Sequence, residues 1–459
     1  MKVLKKTFAL VAFSTIALGA IGCAPAAEKA DYVNFEGDPT QITAKVTFWH
    51  TMGQANQATL NSMIEKFNEK YPNITIEHAA QGGYDDIKTK ISAAIPAGTT
   101  PTMAYCYPDH VAEYMSAGAV EQMDGYVNDP VIGLSKESWD SAGGVNDFVK
   151  GFWEEGKGYG DEFGVDGGLY SVPYSKSTEV MFYNKTFFTE NNLTVPTTWD
   201  EMEAIMPTIK EKGYTALGYD SDANMLITMM EQNGIPYTSA DKDNHFLFNN
   251  PEAKALVTKL KTWYDNGWLI TSGSSANNSY TSNMFVGSDE TTHIVMTIGS
   301  TGGTSYNYSD NFEIGVAPIP GGTKNNHVIS QGPSICFFSR ATAEEKYAAW
   351  LFYKWISNTD NSAIYSVLTG YAPVRESSFK CPIFTDYTDD LKKVGKDRLI
   401  QKTLEFNQTL TDRFYVSPAF KGSSTARSAM DGICANVFLG TKTIDDAFND
   451  ALTDCLFAA

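Results

Sequence analysis

Histidine and cysteine are scarce in this chain, six residues of each in 459, and neither falls into a spacing that catalysis or metal binding uses. There is no CxxC pair, no HExxH motif, no GxSxG elbow, no P-loop and no EF-hand loop. His50, His78, His110, His245, His293 and His327 stand at intervals without metal-ligand logic. Basic residues are few as well: 35 Lys and Arg against 54 Asp and Glu give a net charge of −19, which disfavours nucleic acid and anionic membrane surfaces as partners. Beyond residue 21 no apolar run approaches the roughly 20 residues that a spanning helix needs. These absences give no warrant for a metal, a cofactor or a catalytic residue. They leave a secreted hydrolase as a remote reading, carried only by the number of carboxylates.

What is present begins at the amino terminus. Lys2, Lys5 and Lys6 precede an apolar run from Phe8 to Ile21 whose only polar interruptions are Ser14 and Thr15, the pattern of a secretory signal. Small residues then lead into Cys23. Residues 1–22 therefore read as a signal peptide and Cys23 as a lipidated residue, since the junction resembles a bacterial lipobox; a signal cleaved without lipidation is the alternative. Residues 23–43 are rich in Ala, Pro, Glu, Asp and Gly without periodicity and read as a flexible tether. Loss of residues 1–22 removes three lysines and no acid, which takes the charge from −19 to −22. Setting Cys23 aside leaves Cys106, Cys336, Cys381, Cys434 and Cys455, an odd number that cannot all pair. Cys434 and Cys455 fall on adjacent predicted helices, placed either to bridge or to stay buried thiols.

The body opens on a strand, Lys45 to His50, followed by a helix with Leu60, Ile64, Phe67 and Tyr71 at helical spacing and Pro72 at its end. Strands at Ile74 to Glu77 and Pro101 to Tyr107 alternate with further helices, which predicts an α/β lobe. Ser171 to Asn184 is extended and is the first candidate for a passage between two lobes. Thr198 to Glu201 is a capping box, with Pro207 expected to kink or divide the helix that follows. Asn250-Pro251 opens another helix, and His293 to Ile298 is a strand leading into the small-residue loop 299–305. Phe312 to Pro320 and the segment from Ser330 to Phe338 are extended, Thr342 caps a helix, and a last helix follows Thr443.

Six phrases stand out in order: Phe48-Trp49-His50-Thr51-Met52, Gly83-Tyr84-Asp85, Pro173 to Thr178, Phe182-Tyr183-Asn184-Lys185, Gly315 to Gly322 and Gly370 to Val374. Together they resemble the family 1 extracellular solute-binding proteins of ABC transporters, over about the whole mature chain. The resemblance implies an α/β, two-lobed periplasmic-binding-protein-like fold of class II, with three hinge crossings and a ligand cleft between the lobes. The crossings would fall near Val180, Asn311 and Asn358. Lobe one would then be 44–179 plus 312–357, and lobe two 180–311 plus 358–459. It also implies a non-catalytic, exported protein, monomeric and held by its lipid at the membrane or free in the periplasm, whose partners are a small-molecule ligand and ABC permease subunits.

Within the family the chain looks closest to members that bind sn-glycerol 3-phosphate, through Trp-His-Thr-Met, Gly-Tyr-Ala-Pro and Arg427. The candidate ligand residues follow from that likeness. Tyr84 and Tyr371 would present aromatic faces, Ser177, Ser300 and Thr301 hydroxyls, and Gly332 a backbone amide. Asp109, matched with a one-residue gap, would be the acidic group of the cleft, and His50 a hydrogen-bonding partner. Arg427, beginning a helix after Gly422-Ser423-Ser424-Thr425, would offer a fork to phosphate near the helix N-terminus. Each hydroxyl has a plainer reading as a cap or turn, each tyrosine as packing, and Arg427 as an ion pair. Around Asp222 to Met225 the glycerol-phosphate pattern has tryptophans and this chain has none. That leaves a sugar or oligosaccharide as the competing ligand, with Trp49, Trp139, Trp153 and Tyr174 as possible stacking surfaces.

Overall fold

The computed structural model describes residues 32–136, 144–160, 163, 167–287 and 293–459. The expected signal peptide, the lipid site at Cys23, the first part of the tether and Trp139 lie outside the described residues. The rest of the expected tether is held against the body rather than free. Tyr32 Oη and the Phe35 amide both donate to the Asp129 carboxylate, at 2.8 and 2.7 Å, and the Tyr32 ring packs edge-on to Tyr126 at 4.5 Å.

Two sheets organise the chain. The first runs in the order Ile74–Ala80, Ala44–His50, Met103–Cys106, Ser334–Phe337, Val172–Pro173. Its first three strands are parallel and the last two pair antiparallel. The parallel pairs are joined by helices that bury one stripe each. Helix Gln54–Lys70 buries Leu60, Met63, Ile64 and Phe67, the 3.6-residue spacing legible in the sequence.

The second sheet runs Phe414–Tyr415, Val328–Gln331, Ser177–Asn184, Ile294–Ser300, Thr215–Tyr219, Leu269–Thr271, with Ile314–Pro318 also paired to Ser177–Asn184. Along that central strand Met181 enters one core while Val180 and Phe182 enter another, so both faces are covered, as the strand period of two requires.

The passages between lobes differ from those expected. Val172–Pro173 belongs to the first sheet and Ser177–Asn184 to the second, so the chain crosses near Lys176. It does not return near Asn311, because Ile314–Pro318 pairs with Ser177–Asn184; it returns between Gln331 and Ser334. Nor does it leave near Asn358. Helix Thr359–Thr369 places Ala363 and Tyr365 in the first core, and Phe384 follows them, so the third passage lies after Thr388. Gly332 turns the second crossing at φ +76°, and a Cβ there would lie 2.0 Å from the Ser175 carbonyl oxygen. Glycine is needed where the two crossings touch.

Helix Trp199–Glu211 runs through Pro207 undivided. The Thr198 cap and burial of Trp199, Met202, Met206 and Ile209 hold it together against the lost backbone bond. Cys434 and Cys455 are buried free thiols on packed helices, and Cys106, Cys336 and Cys381 are buried free thiols as well.

Candidate functional site

Where the lobes face each other lies a cavity of about 60 Å³. Lobe one contributes Tyr107, Asp109 and Glu155. Lobe two contributes Tyr237, Thr238, Ser330, Gln331, Ser417, Ser423 and Arg427. The lobes touch around it. Lys88 Nζ donates to Ser424 Oγ at 2.6 Å, and the Tyr371 ring lies so close over Gly302 that a Cβ there would meet it at 2.9 Å. The structure is therefore that of a closed cleft.

Arg427 is the cationic wall. It is the fifth residue of helix Ser423–Phe438 rather than its first, because Gly422, at φ +91°, ends the preceding loop earlier than expected. Its Nη2 donates to Asn224 Oδ1. Burial works against the charge, but Asp109, Tyr107, Tyr237 and Asp431 outweigh it and raise the Arg427 pKa. Asn224 returns a bond through Nδ2 to Glu179 Oε1 at 2.8 Å. Gln331 Nε2 donates to the same oxygen at 3.0 Å, and Tyr219 Oη to Oε2 at 2.5 Å. Burial pushes the Glu179 carboxyl up to about 7, against the opposing pull of Tyr219, Asn224 and Arg427. Asn224, where tryptophan was expected, thus orients the guanidinium instead of supplying a ring face.

Lobe one holds a bank of tyrosines, of which Tyr107 lines the cavity while the expected Tyr84 and Tyr371 are not among its lining residues. Tyr84, first residue of helix Tyr84–Ala97, packs on Tyr107 with centroids 4.5 Å apart. Tyr371 stacks on Tyr365 at 5.8 Å, and Tyr365 packs on Tyr174 at 4.9 Å. Behind them Tyr105 Oη lies 2.5 Å from Ser175 Oγ, which in turn donates to Tyr365 Oη at 2.9 Å. Each phenol is held neutral by burial, with its pKa raised.

The remaining expected residues divide differently. Asp109 and Arg427 line the cavity together. His50 does not line it. The ring is fully buried, its Nδ1 accepts from the Met52 amide at 3.1 Å, and its Nε2 bonds His78 Nδ1 at 2.9 Å. His78 Nε2 then bonds Asn61 Oδ1 at 2.8 Å. That relay fixes His50 as the Nε2–H tautomer, and burial with His78 alongside pushes its pKa down to about 4.

The hydroxyls serve the backbone. Ser300 Oγ caps the short helix Thr301–Asn307 through the Gly302 amide at 3.2 Å and donates to Ser177 Oγ at 3.1 Å. Thr301 Oγ1 accepts from the Thr178 amide at 3.3 Å. The Gly332 carbonyl accepts from Lys176 at 2.8 Å at the hinge. Trp153 and Tyr174 are core, and Trp49 packs against it.

Sequence reasoning missed Tyr107, Glu155, Tyr237, Thr238 and Gln331. Tyr107 carried a faint signal as the residue before Pro108 at a strand end, a usual place for a cleft group. Thr238 carried none. Its Oγ1 is buried on the cavity wall and has no hydrogen-bond partner among the described residues.

Two α/β lobes, crossings that come together at a hinge, and a cavity between the lobes that carries Asp109, Glu155 and Arg427 define a hinged ligand-capture protein. A family model described as bacterial extracellular solute-binding protein matches residues 62–393. The chain belongs to that family, whose members deliver small-molecule ligands to ABC permeases and are the binding components of transporters. It is 23% identical over 444 residues to the sn-glycerol-3-phosphate-binding periplasmic protein UgpB of Salmonella typhimurium, covering 91% of this chain and 93% of that one. Among solved structures it is similar to UgpB from Mycobacterium tuberculosis in complex with glycerophosphocholine, with TM-score 0.71, 19% identity, and 91% and 98% of the two chains covered. It is equally similar to the GacH receptor of Streptomyces glaucescens, known unliganded and with acarbose, with TM-score 0.71, 19% identity, and 91% and 99% covered. At these identities the structural likeness shows the fold.

Proposed function

We propose that this protein captures a small polyol phosphate, sn-glycerol 3-phosphate or a glycerophosphodiester, for an ABC importer, and performs no chemistry on it. The observation that carries this reading is Arg427 on the wall of the cavity between the lobes, its guanidinium oriented by Asn224. Asp109 and Glu155 share the same cavity. They oppose a phosphomonoester, whose charge is about −1.5 to −2 at neutral pH, more than a diester with a single charge. Glycerophosphocholine, the ligand of the mycobacterial relative's complex, is a diester of that kind.

Cys23 is proposed as the lipid anchor of a monomeric exported protein, as its signal pattern suggests. The second reading, an oligosaccharide, draws on the tyrosine faces of Tyr84, Tyr107 and Tyr371.

The test is a thermal-shift screen of purified protein against sn-glycerol 3-phosphate, glycerophosphocholine, maltose and longer oligosaccharides, followed by mass spectrometry of the ligand recovered. The expected outcome is stabilisation by a phosphate ligand recovered intact. Stabilisation by sugars alone replaces the ligand assignment, and recovery of a hydrolysed product refutes the non-catalytic reading.

A further inference from the structure

Two of the three crossings meet on one buried ion pair. Lys176, on the first crossing, is fully buried, and its Nζ donates to Glu155 Oε1 at 2.7 Å and to the Gly332 carbonyl of the second crossing at 2.8 Å. Its own carbonyl accepts from the Ala372 amide at 2.7 Å, on the loop that carries Tyr371. Glu155 Oε2 accepts from Ser330 Oγ, near the end of the lobe-two strand that leads into the second crossing, at 2.8 Å. Glu155 and Ser330 both line the ligand cavity. One carboxylate therefore touches the hinge on one side and the ligand's space on the other.

Holding two crossings together does not require charge. A hydrophobic pair of the same volume would do it, often with equal or better stability, because two buried ions must be desolvated. A carboxylate on a cavity wall offers what such a pair cannot. It has about four acceptor sites, of which Lys176 and Ser330 use two. Those left are what an O–H or N–H donor bound in the cavity would use.

We propose that Glu155 is a ligand-contacting carboxylate selecting ligands that carry a hydroxyl or amine donor beside their anionic group, and that Lys176 is the positioning residue that aims it and ties its occupancy to the closed register of the crossings. The proposal rests on the ligand-capture reading of this cavity. Opening the lobes separates Glu155 from Ser330 and admits water to it, so a donor bound on Glu155 favours the closed form.

The experiment compares wild type, Lys176→Met, Glu155→Gln and the double variant Lys176→Met/Glu155→Gln. Affinity is measured by calorimetry with glycerophosphocholine and sn-glycerol 3-phosphate. The lobe separation is measured without ligand by spin-label distances between Glu65→Cys and Glu252→Cys, exposed positions on helices of opposite lobes. Each single variant is expected to melt earlier and to show longer distances. The double variant, with no buried charge left unpaired, is expected to recover most of its melting temperature yet bind both probes at least tenfold more weakly. Wild-type affinity in the double variant overturns the ligand contact. An unchanged distance distribution in Lys176→Met overturns the coupling to the hinge. If wild type binds neither probe, the capture of glycerol phosphates fails, and the ligand-free distances still decide the coupling.

Discussion

Lys88 on one lobe donates a 2.6 Å hydrogen bond to Ser424 on the other while also pairing with Glu113 at 3.0 Å. The bond to Ser424 exists only while the cleft is shut, whereas the pair with Glu113 lies within one lobe. Ser424→Ala therefore removes a contact of the closed form alone. At a partly exposed site such a bond is worth about 1 kcal/mol, which corresponds to roughly fivefold in affinity. Calorimetry is expected to show that loss, with the unfolding midpoint of the ligand-free protein nearly unchanged.

Thr238 Oγ1 is buried on the cavity wall without a hydrogen-bond partner among the described residues. An unsatisfied buried hydroxyl costs about 1–3 kcal/mol, so Thr238→Val is expected to raise ligand-free stability by about 1 kcal/mol. The same change removes a group that a bound polar ligand would satisfy, and affinity is expected to fall. Stability measured by urea unfolding and affinity by calorimetry should move in opposite directions. If both stay put, the hydroxyl is indifferent to the ligand.

Glu179 sets a pH dependence whose sign is fixed by burial. Its carboxyl is pushed from 4.5 up to about 7, facing Tyr219, Asn224, Gln331, Arg427 and Asp220. A raised carboxyl pKa means the folded state holds its proton more tightly than the unfolded chain. The stabilisation is complete below about pH 4.5, declines as pH rises, and is gone above the folded value of about 7. The shift corresponds to roughly 3 kcal/mol. Asp222, pushed up to about 6 by burial, acts in the same direction and is present in both proteins compared. The stability difference between wild type and Glu179→Gln should therefore move against wild type by about 3 kcal/mol between pH 4.5 and pH 8. Urea unfolding at those two values checks it, and a constant difference would show Glu179 ionised throughout.

The lobes were legible because their helices and strands carry strong periods: Leu60, Ile64 and Phe67 on one helix, and the Thr342 and Asn250 caps on others. The crossings were not, because Val172–Pro173 and Ser177–Asn184 form one extended stretch in sequence and divide between two sheets only through pairing with strands some 150 residues away. No local signal records such partners. At the site, Arg427 and Asp109 were reached through the family likeness, Asp109 with a one-residue gap, and both line the cavity. Ser177, Ser300 and Thr301 turned out to bond one another and the backbone, the usual fate of hydroxyls in turns. Glu155 and Thr238 were invisible, since neither sits in a distinctive local pattern and only the closing of two lobes brings them to one cavity.

Arg427 decides the central claim. Calorimetry of wild type and Arg427→Ala with glycerophosphocholine, sn-glycerol 3-phosphate and maltose measures it directly. Saturable one-to-one binding of a phosphate ligand to wild type is expected, weakened about 30-fold or more in Arg427→Ala, equivalent to about 2 kcal/mol for losing a buried charged hydrogen bond. Binding of maltose with no phosphate binding, or equal phosphate affinity in the two proteins, would contradict the account.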